Sequence, residues 1–355
     1  MPLTKLPTLA YVPKRRPLMA SAPVPTSLSP QSSASSAAEP LLDVQNLSVE
    51  YQTLRGPVQA VSNVSFSIGQ GEVFGLAGES GSGKSTIAHA IMRILHSPAV
   101  ITGGNVLFDG DDVLEMDMEG LEAFRWRDIS MVFQSAMNAL NPVLTVGEQI
   151  IDVIQRHQPK TTKQQAKDRA AELLDIVGID GKRVDDYPHQ LSGGMRQRVV
   201  IAVALALKPQ LMIMDEPTTA LDVVVQKDIM QQIEYLKKEL DFSILFITHD
   251  LSLMVEFSDR IGVMYAGEIV EMTAAHELFN KPMHPYTQGL MASFPALVGP
   301  KETLTGIPGS PPNMLEPPSG CRFHPRCPKA IAQCSLQQPT LREVEPGHFV
   351  ACHLY

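Results

Sequence analysis

Cysteine is missing from the first 320 residues of this 355-residue chain; Cys321, Cys327, Cys334 and Cys352 all fall in its last 35. That distribution excludes a disulfide scaffold spread through the body and reads as one local site in a reducing compartment. Long apolar runs are missing too. The longest, "VVIAVALAL" at 199–207, has nine residues, whereas a spanning helix needs about 20, so the chain is not expected to cross a membrane by itself. Positive charge is in deficit, with 29 Lys and Arg against 38 Asp and Glu and a formal charge of −9. Phosphate backbones are held mainly by Lys and Arg, so this balance argues against a protein that coats nucleic acid. What remains, 44% hydrophobic and 19% charged residues, is ordinary for a globular chain, and the length allows two domains plus a tail.

Residues 1–40 hold 21 Pro, Ser or Ala, four basic residues and one acid, Glu39, with no apolar period. They read as a disordered arm. An organelle transit peptide shares the basic, acid-poor bias, but eight prolines oppose the amphipathic helix it uses. From residue 41 the texture changes. "LLDVQNLSVEY", "VQAVSNVSFSI" and "GEVFGLAGES" read as short strands, the last running through a glycine turn into the helix-like "KSTIAHAIMRIL". Residues 145–200 are helical in pattern with no convincing strand, which points to an inserted helical subdomain. Strand-like "LMIMDEP" and "SILFITHD" follow, separated by helix-like "VVVQKDIMQQIEYLKKEL". Buried strands alternating with helices predict an α/β core with a mostly parallel sheet. No internal repeat is evident, so one set of site machinery per chain is expected.

The first chemical motif is "GESGSGKST", Gly78 to Thr86, which fits G-x-x-x-x-G-K-[ST] between a strand and a helix. Gly81 and Gly83 let the backbone pass close to an anion, and the helix start supplies aligned N–H dipoles. Ser80 and Ser82 complete the loop. Lys84 is placed to pair with β- and γ-phosphates, Ser85 to ligate Mg²⁺, and Thr86 follows it. Asp215 ends the apolar strand "LMIMD", where its carboxylate emerges at the sheet edge and suits Mg²⁺. Glu216 can accept a proton from an attacking water. Gln134, after "DISMVF", offers an amide to the metal or the water. His249, ending "ILFITHD", can reach a γ-phosphate and Glu216. Tyr51 ends the first strand, where its ring can stack on adenine. A second glycine turn, "LSGGMRQR" at 191–198, opens a helix-like run and raises the question of what a second anion site is for.

These residues resemble the ATP-binding subunits of ABC transporters over about 41–275. "GESGSGKST" resembles their Walker A, Gln134 their Q-loop, "LSGGMRQR" their signature, "LMIMDEP" their Walker B, "TALD" with Asp222 their D-loop, and His249 their switch histidine. The resemblance implies a P-loop NTPase core with an antiparallel β subdomain and an inserted helical subdomain at about 135–200. It also implies head-to-tail pairing of two subunits, each ATP lying between one chain's Walker A and the other's Ser192, Gly193 and Gly194. Hydrolysis then removes the anion that both sides grip. "SAMNALNPVLTVGEQI" resembles the stretch that meets the permease.

The tail resembles the dipeptide/oligopeptide importer branch through "HPYTQGLMASFP", "IPGSPPNMLEPPSGCRFHPRCP" and "VACHL", so residues 276–355 are expected to form its C-terminal extension. Relatives in that branch carry peptides, nickel, glutathione or sugars. The resemblance implies a [4Fe-4S] cluster on the four cysteines, spaced C-x5-C-x6-C-x17-C; four thiolates also suit zinc, or the site holds no metal. His324, His353 and Arg326 are assigned to packing or solvating it. The expected assembly is a peripheral ATPase on the cytoplasmic face of the cell membrane, with a second, related but different ATPase chain, two transmembrane permease subunits and an extracytoplasmic substrate-binding protein. Nucleic acid is not an expected partner. The competing class is an ABC ATPase acting on nucleic acid or ribosomes; it usually carries two ATPase units in one chain or a basic arm.

Overall fold

The computed structural model describes residues 39–134, 139–219, 221–293 and 306–355. The arm expected over 1–40, apart from its last two residues, lies outside them. So do 135–138 of the docking stretch, Ala220 of "TALD" and the end of "HPYTQGLMASFP".

The chain begins with two long antiparallel strands, β1 (Leu42–Thr53) and β2 (Gly56–Ile68). The fully buried β3 (Val73–Ala77) leads through the glycine loop into α1 (Lys84–Ile91). β4 (Ala99–Phe108) and β5 (Asp111–Asp112) complete a four-stranded antiparallel sheet in the order β2-β1-β4-β5. α2 (Met118–Phe124) then precedes β6 (Ile129–Val132).

Helices dominate the stretch that follows: α3 (Val146–His157), α4 (Lys163–Ile176) and α5 (Gly193–Ala204), with no strand among the described residues between β6 and residue 211. Capping boxes start two of them. Thr145 and Glu148 satisfy each other's backbone N–H groups at α3, as Thr162 and Gln165 do at α4. α3 buries Val146, Ile150, Ile151 and Ile154, one apolar stripe at helical spacing.

β7 (Leu211–Asp215), α6 (Val223–Leu240), β8 (Ser243–Ile247), α7 (Leu251–Phe257) and β9 (Arg260–Tyr265) finish the parallel part. β10 (Glu268–Ala274), α8 (Ala275–Asn280), α9 (Pro285–Ala292), α10 (Ala332–Leu336), β11 (Arg342–Glu345) and β12 (His348–Val350) follow. The large sheet runs β11-β12-β10-β9-β3-β8-β7-β6. Its pairings from β9 to β6 are parallel, and the β9-β10-β12-β11 edge is antiparallel. The expected parallel sheet is therefore present with an added edge, and the last two strands come from the C-terminal region.

Alternation along the buried strands divides the core into two layers. Leu211 and Ile213 of β7 join α1 and the antiparallel sheet in one cluster, while Met212 and Met214 join α3, α4, α5 and α6 in the other. The parallel strands thus carry an apolar face on both sides, and that is why they read as continuous hydrophobic runs. Parallel order also brings the carboxyl ends of β3, β8, β7 and β6 to one edge of the sheet, where open α/β folds bind ligands.

Candidate functional site

Each of those four strand ends delivers one candidate segment. β3 delivers the glycine loop. Gly78, Gly81 and Gly83 all take positive φ, and Gly83, with φ 105°, is the residue from which α1 starts. Ser80 and Gly81 form the exposed tip, whereas Ser82 and Lys84 are buried. The Lys84 ammonium donates to the carbonyls of Gly78 (2.8 Å) and Glu79 (2.9 Å) and to Ser82 Oγ (3.3 Å). A cation is thereby fixed inside a ring of loop backbone at a helix N-terminus, a cradle for phosphate. Burial pulls the Lys84 pKa below the usual lysine value, while Glu216, Asp215 and Glu79 push it back up. At the next turn Thr86 Oγ1 lies 3.4 Å from the Tyr51 hydroxyl, so β1 brings Tyr51 to the rim of the loop.

β7 delivers Asp215 and Glu216. Asp215 is 2% exposed, and its Oδ1 has no hydrogen-bond partner. Burial raises its pKa, and a hydrogen bond from Ser85 opposes the rise. A buried carboxylate oxygen left unpaired beside a serine hydroxyl is costly unless something else satisfies it. Mg²⁺ fits that donor set of hard oxygens.

Glu216 sits at the centre of the remaining groups. Its φ is 48°, an unusual backbone state for a non-glycine residue and one that concentrates at functional sites. Its N–H donates to Ile247 O of β8 (2.8 Å). Its carboxylate accepts from Gln134 Nε2 (2.9 Å), at the end of β6, and from Thr219 Oγ1 (3.0 Å). His249 Nδ1, beyond the end of β8, lies 3.5 Å from Glu216 Oε1. The three residues expected to act on the attacking water, Gln134, Glu216 and His249, therefore converge. Thr219 was not anticipated; its signal is local, a hydroxyl three positions after Glu216.

The second glycine turn stands elsewhere. Ser192 caps α5, its Oγ accepting from Met195 N (3.3 Å), with Gly193 and Gly194 as the first helical residues. Among the described residues no hydrogen bond or ion pair joins these three to the loop at 78–86. Asp222 caps α6 in the same way, Oδ1 accepting from the N–H groups of Val224 (3.1 Å) and Val225 (3.0 Å).

The chain matches the ABC transporter family over residues 61–219, and the C-terminal region of oligopeptide/dipeptide transporters over 270–334. It is 46% identical to the oligopeptide transport ATP-binding protein OppD of Bacillus subtilis (strain 168), a match covering 87% of each chain. This chain belongs to the ABC transporter ATP-binding subunits. With the dipeptide transport ATP-binding protein DppD of the same strain, this ABC subunit shares 43% identity over 89% of its own length and 95% of the relative's. Among solved structures it resembles the dimeric post-hydrolysis state of the ATP-binding cassette MJ0796 bound to ADP and Pi. That likeness has a TM-score of 0.59 at 31% identity and covers 66% of this chain and 98% of that one.

In this ABC subunit the four cysteines are all free thiols. Cys334 and Cys352 are buried, Cys321 and Cys327 half-buried. Cys321 N donates to Cys334 O (2.8 Å), and His324 Nδ1 lies 2.9 Å from the Cys321 carbonyl oxygen. Burial pushes the Cys321 thiol up to about 11 and raises Cys327 and Cys352 as well, the neighbouring cysteines adding to the rise. The thiols are close enough to feel one another. Yet among the described residues no three His, Cys, Asp or Glu side chains are arranged to hold a metal ion. The expectation of a [4Fe-4S] cluster on these four residues finds no support in this arrangement.

Proposed function

We propose that this ABC subunit binds ATP at 78–86, hydrolyses it at an interface shared with a second ATPase chain, and thereby drives peptide import through two permease subunits. One observation carries the reading: Gln134, Glu216 and His249 meet at the carboxyl edge of the sheet beside Lys84, while the signature turn, Ser192 to Gly194, makes no bond to that loop. The second anion site is thus free for another chain's nucleotide. The dimeric state of the MJ0796 cassette accords with this.

Within the site, Lys84 and the loop N–H groups hold the β- and γ-phosphates. Ser85, Asp215 and Gln134 are the residues that would hold Mg²⁺, which supplies charge neutralisation to the phosphates when bound. Glu216 takes the proton of the attacking water; Gln134 and Thr219 hold its carboxylate in place, and His249 reaches toward the γ-phosphate. Tyr51 stacks on the adenine. Asp222 lies one residue before α6 and faces the partner chain as the D-loop. No step is routed through the cysteines.

Residues 41–275 constitute the ATPase domain, with a helical subdomain over about 135–200, and 276–355 the importer-type extension. Permease docking is assigned to the stretch after Gln134, where Val143 is 75% and Leu144 37% exposed, a cost in water that a partner removes. No described helix is long and apolar enough to cross a membrane; peripheral attachment at the cytoplasmic face is inferred from the transport role named for the relatives. Peptide cargo rests on the names of the relatives and on the matching C-terminal region, with an extracytoplasmic binding protein delivering it.

The test is Glu216→Gln. ATP binding is expected to persist, turnover to fall about 10²–10⁴-fold, and a nucleotide-bound dimer to accumulate in size-exclusion chromatography. Turnover near the wild-type rate would remove Glu216 from the role of base.

A further inference from the structure

The phosphate-loop motif leaves its second position open, and here it holds a carboxylate. Glu79 stands between Gly78 and the loop tip, in a cradle built to receive a polyanion. Its charge is felt at Lys84, where it raises the pKa against the larger lowering by burial. Unscreened, that charge would repel the phosphates.

The structure shows what meets it. Arg326, 247 residues along the chain, grips the Glu79 carboxylate with both terminal nitrogens, Nη1 to Oε2 at 2.9 Å and Nη2 to Oε1 at 3.1 Å. The pair is largely withdrawn from water, the side chains being 7% and 26% exposed. Nη1 also donates to the Tyr265 hydroxyl (3.2 Å), Nε donates to Pro308 O (2.9 Å), and the guanidinium lies over the Tyr265 ring. Bidentate contact, a stacked ring and a fixed Nε leave the fork one orientation. A second tie comes from the same region, because Glu79 N donates to the Tyr286 hydroxyl (2.9 Å). Tyr265, Tyr286 and Phe323 pack together with ring centroids 4.6–5.4 Å apart, all three buried. Each polar group of Glu79 is therefore committed: its N–H to Tyr286, its carbonyl to Lys84 and its carboxylate to Arg326.

We propose that Arg326 is a positioning residue for nucleotide: by neutralising and holding Glu79 it keeps the loop receptive to ATP, so that the C-terminal region sets this chain's affinity for its fuel. The inference rests on the reading that residues 78–86 bind ATP.

The experiment is equilibrium binding of ATP to the full chain, with thermal unfolding recorded for every variant. Arg326→Ala is expected to weaken ATP binding at least about fivefold, the lower range of coupling between distinct sites. Adding Glu79→Gln to Arg326→Ala removes the uncompensated charge and is expected to recover most of the loss. A structural buttress alone would not give that recovery. Arg326→Lys keeps the charge without the fork and is expected to fall between Arg326→Ala and wild type. Should Arg326→Ala not fold, Arg326→Gln carries the same expectation and the same rescue. Wild-type affinity in Arg326→Ala, or a double variant as weak as the single one, overturns the proposal. Lys84→Ala in the same assay separates the two layers: if it loses ATP while Arg326→Ala does not, only this inference fails; if it too binds normally, the reading of the loop fails with it.

Discussion

A β-carbon placed on Gly83 would sit 2.4 Å from the Ala60 carbonyl oxygen, and the residue's φ of 105° is one that L side chains rarely adopt. Gly83→Ala therefore forces the backbone of β2 and the start of α1 apart. The cost is expected to be about 1–3 kcal/mol of stability, with ATP affinity falling as the cradle deforms; calorimetric titration with ATP and a denaturant melt would show both, and unchanged values in the two would contradict the geometry. At this scale the sequence was highly legible. Gly78, Lys84, Ser85, Asp215 and Glu216 declare themselves because their chemistry is local: a glycine spacing, or an acid at the end of an apolar run. Gln134 and His249 could be placed for the same reason, each closing a strand. Glu79 and Arg326 could not, because 247 residues separate them and neither breaks a local pattern. The cysteine spacing was legible as a local cluster of four, but spacing alone does not say which ligand, if any, four thiols hold.

At the scale of elements, α9 shows how a buried histidine is used structurally. His284 caps the helix, its Nδ1 accepting from Tyr286 N (3.0 Å), while its backbone N–H donates to Glu271 Oε2 (2.9 Å). The same Glu271 carboxylate receives Met283 N and lies 2.7 Å from His348 Nε2 of β12. Burial alone drives the His284 pKa from 6.5 to about 3, so the ring stays neutral in the folded chain. The unfolded chain takes up a proton at this residue below pH 6.5 and the folded one does not. Stability is therefore unaffected above that pH and lost as pH falls toward 3, by about 1.4 kcal/mol per unit from this group. His284→Asn keeps a capping acceptor without the titration. Its denaturant stability is expected to fall less than wild type's between about pH 7.5 and about pH 5; an equal fall in both would rule out His284 as the source. Elements with strong periods were readable in advance, among them β3, β7, β8 and the helices after residue 145. The strands β11 and β12 were not. They are three or four residues long, and only pairing, β12 on β10 and β11 on β12, makes them strands.

At the scale of the whole molecule, the parallel sheet is the device that assembles the site. Segments at residues 78–86, 134, 215–216 and 249 are remote in sequence and meet because β3, β6, β7 and β8 run the same way. The same arrangement leaves Ser192, Gly193 and Gly194 on α5, with no hydrogen bond or ion pair among the described residues to the loop at 78–86; on the proposed reading, one chain supplies two different halves and completes neither. The sequence pointed to such a division only through the family resemblance; the fold adds which motifs meet within one chain. The charge deficit fits a protein whose partners are proteins and a nucleotide, since a positive surface suited to a phosphate backbone is not what −9 provides.

The most direct test is ATP turnover by the full chain at protein concentrations where sedimentation shows only monomer, compared with concentrations, or an added partner ATPase, at which it pairs. Turnover per molecule is expected to be negligible in the first condition and to rise with pairing in the second. Full turnover by a demonstrated monomer would contradict the shared site.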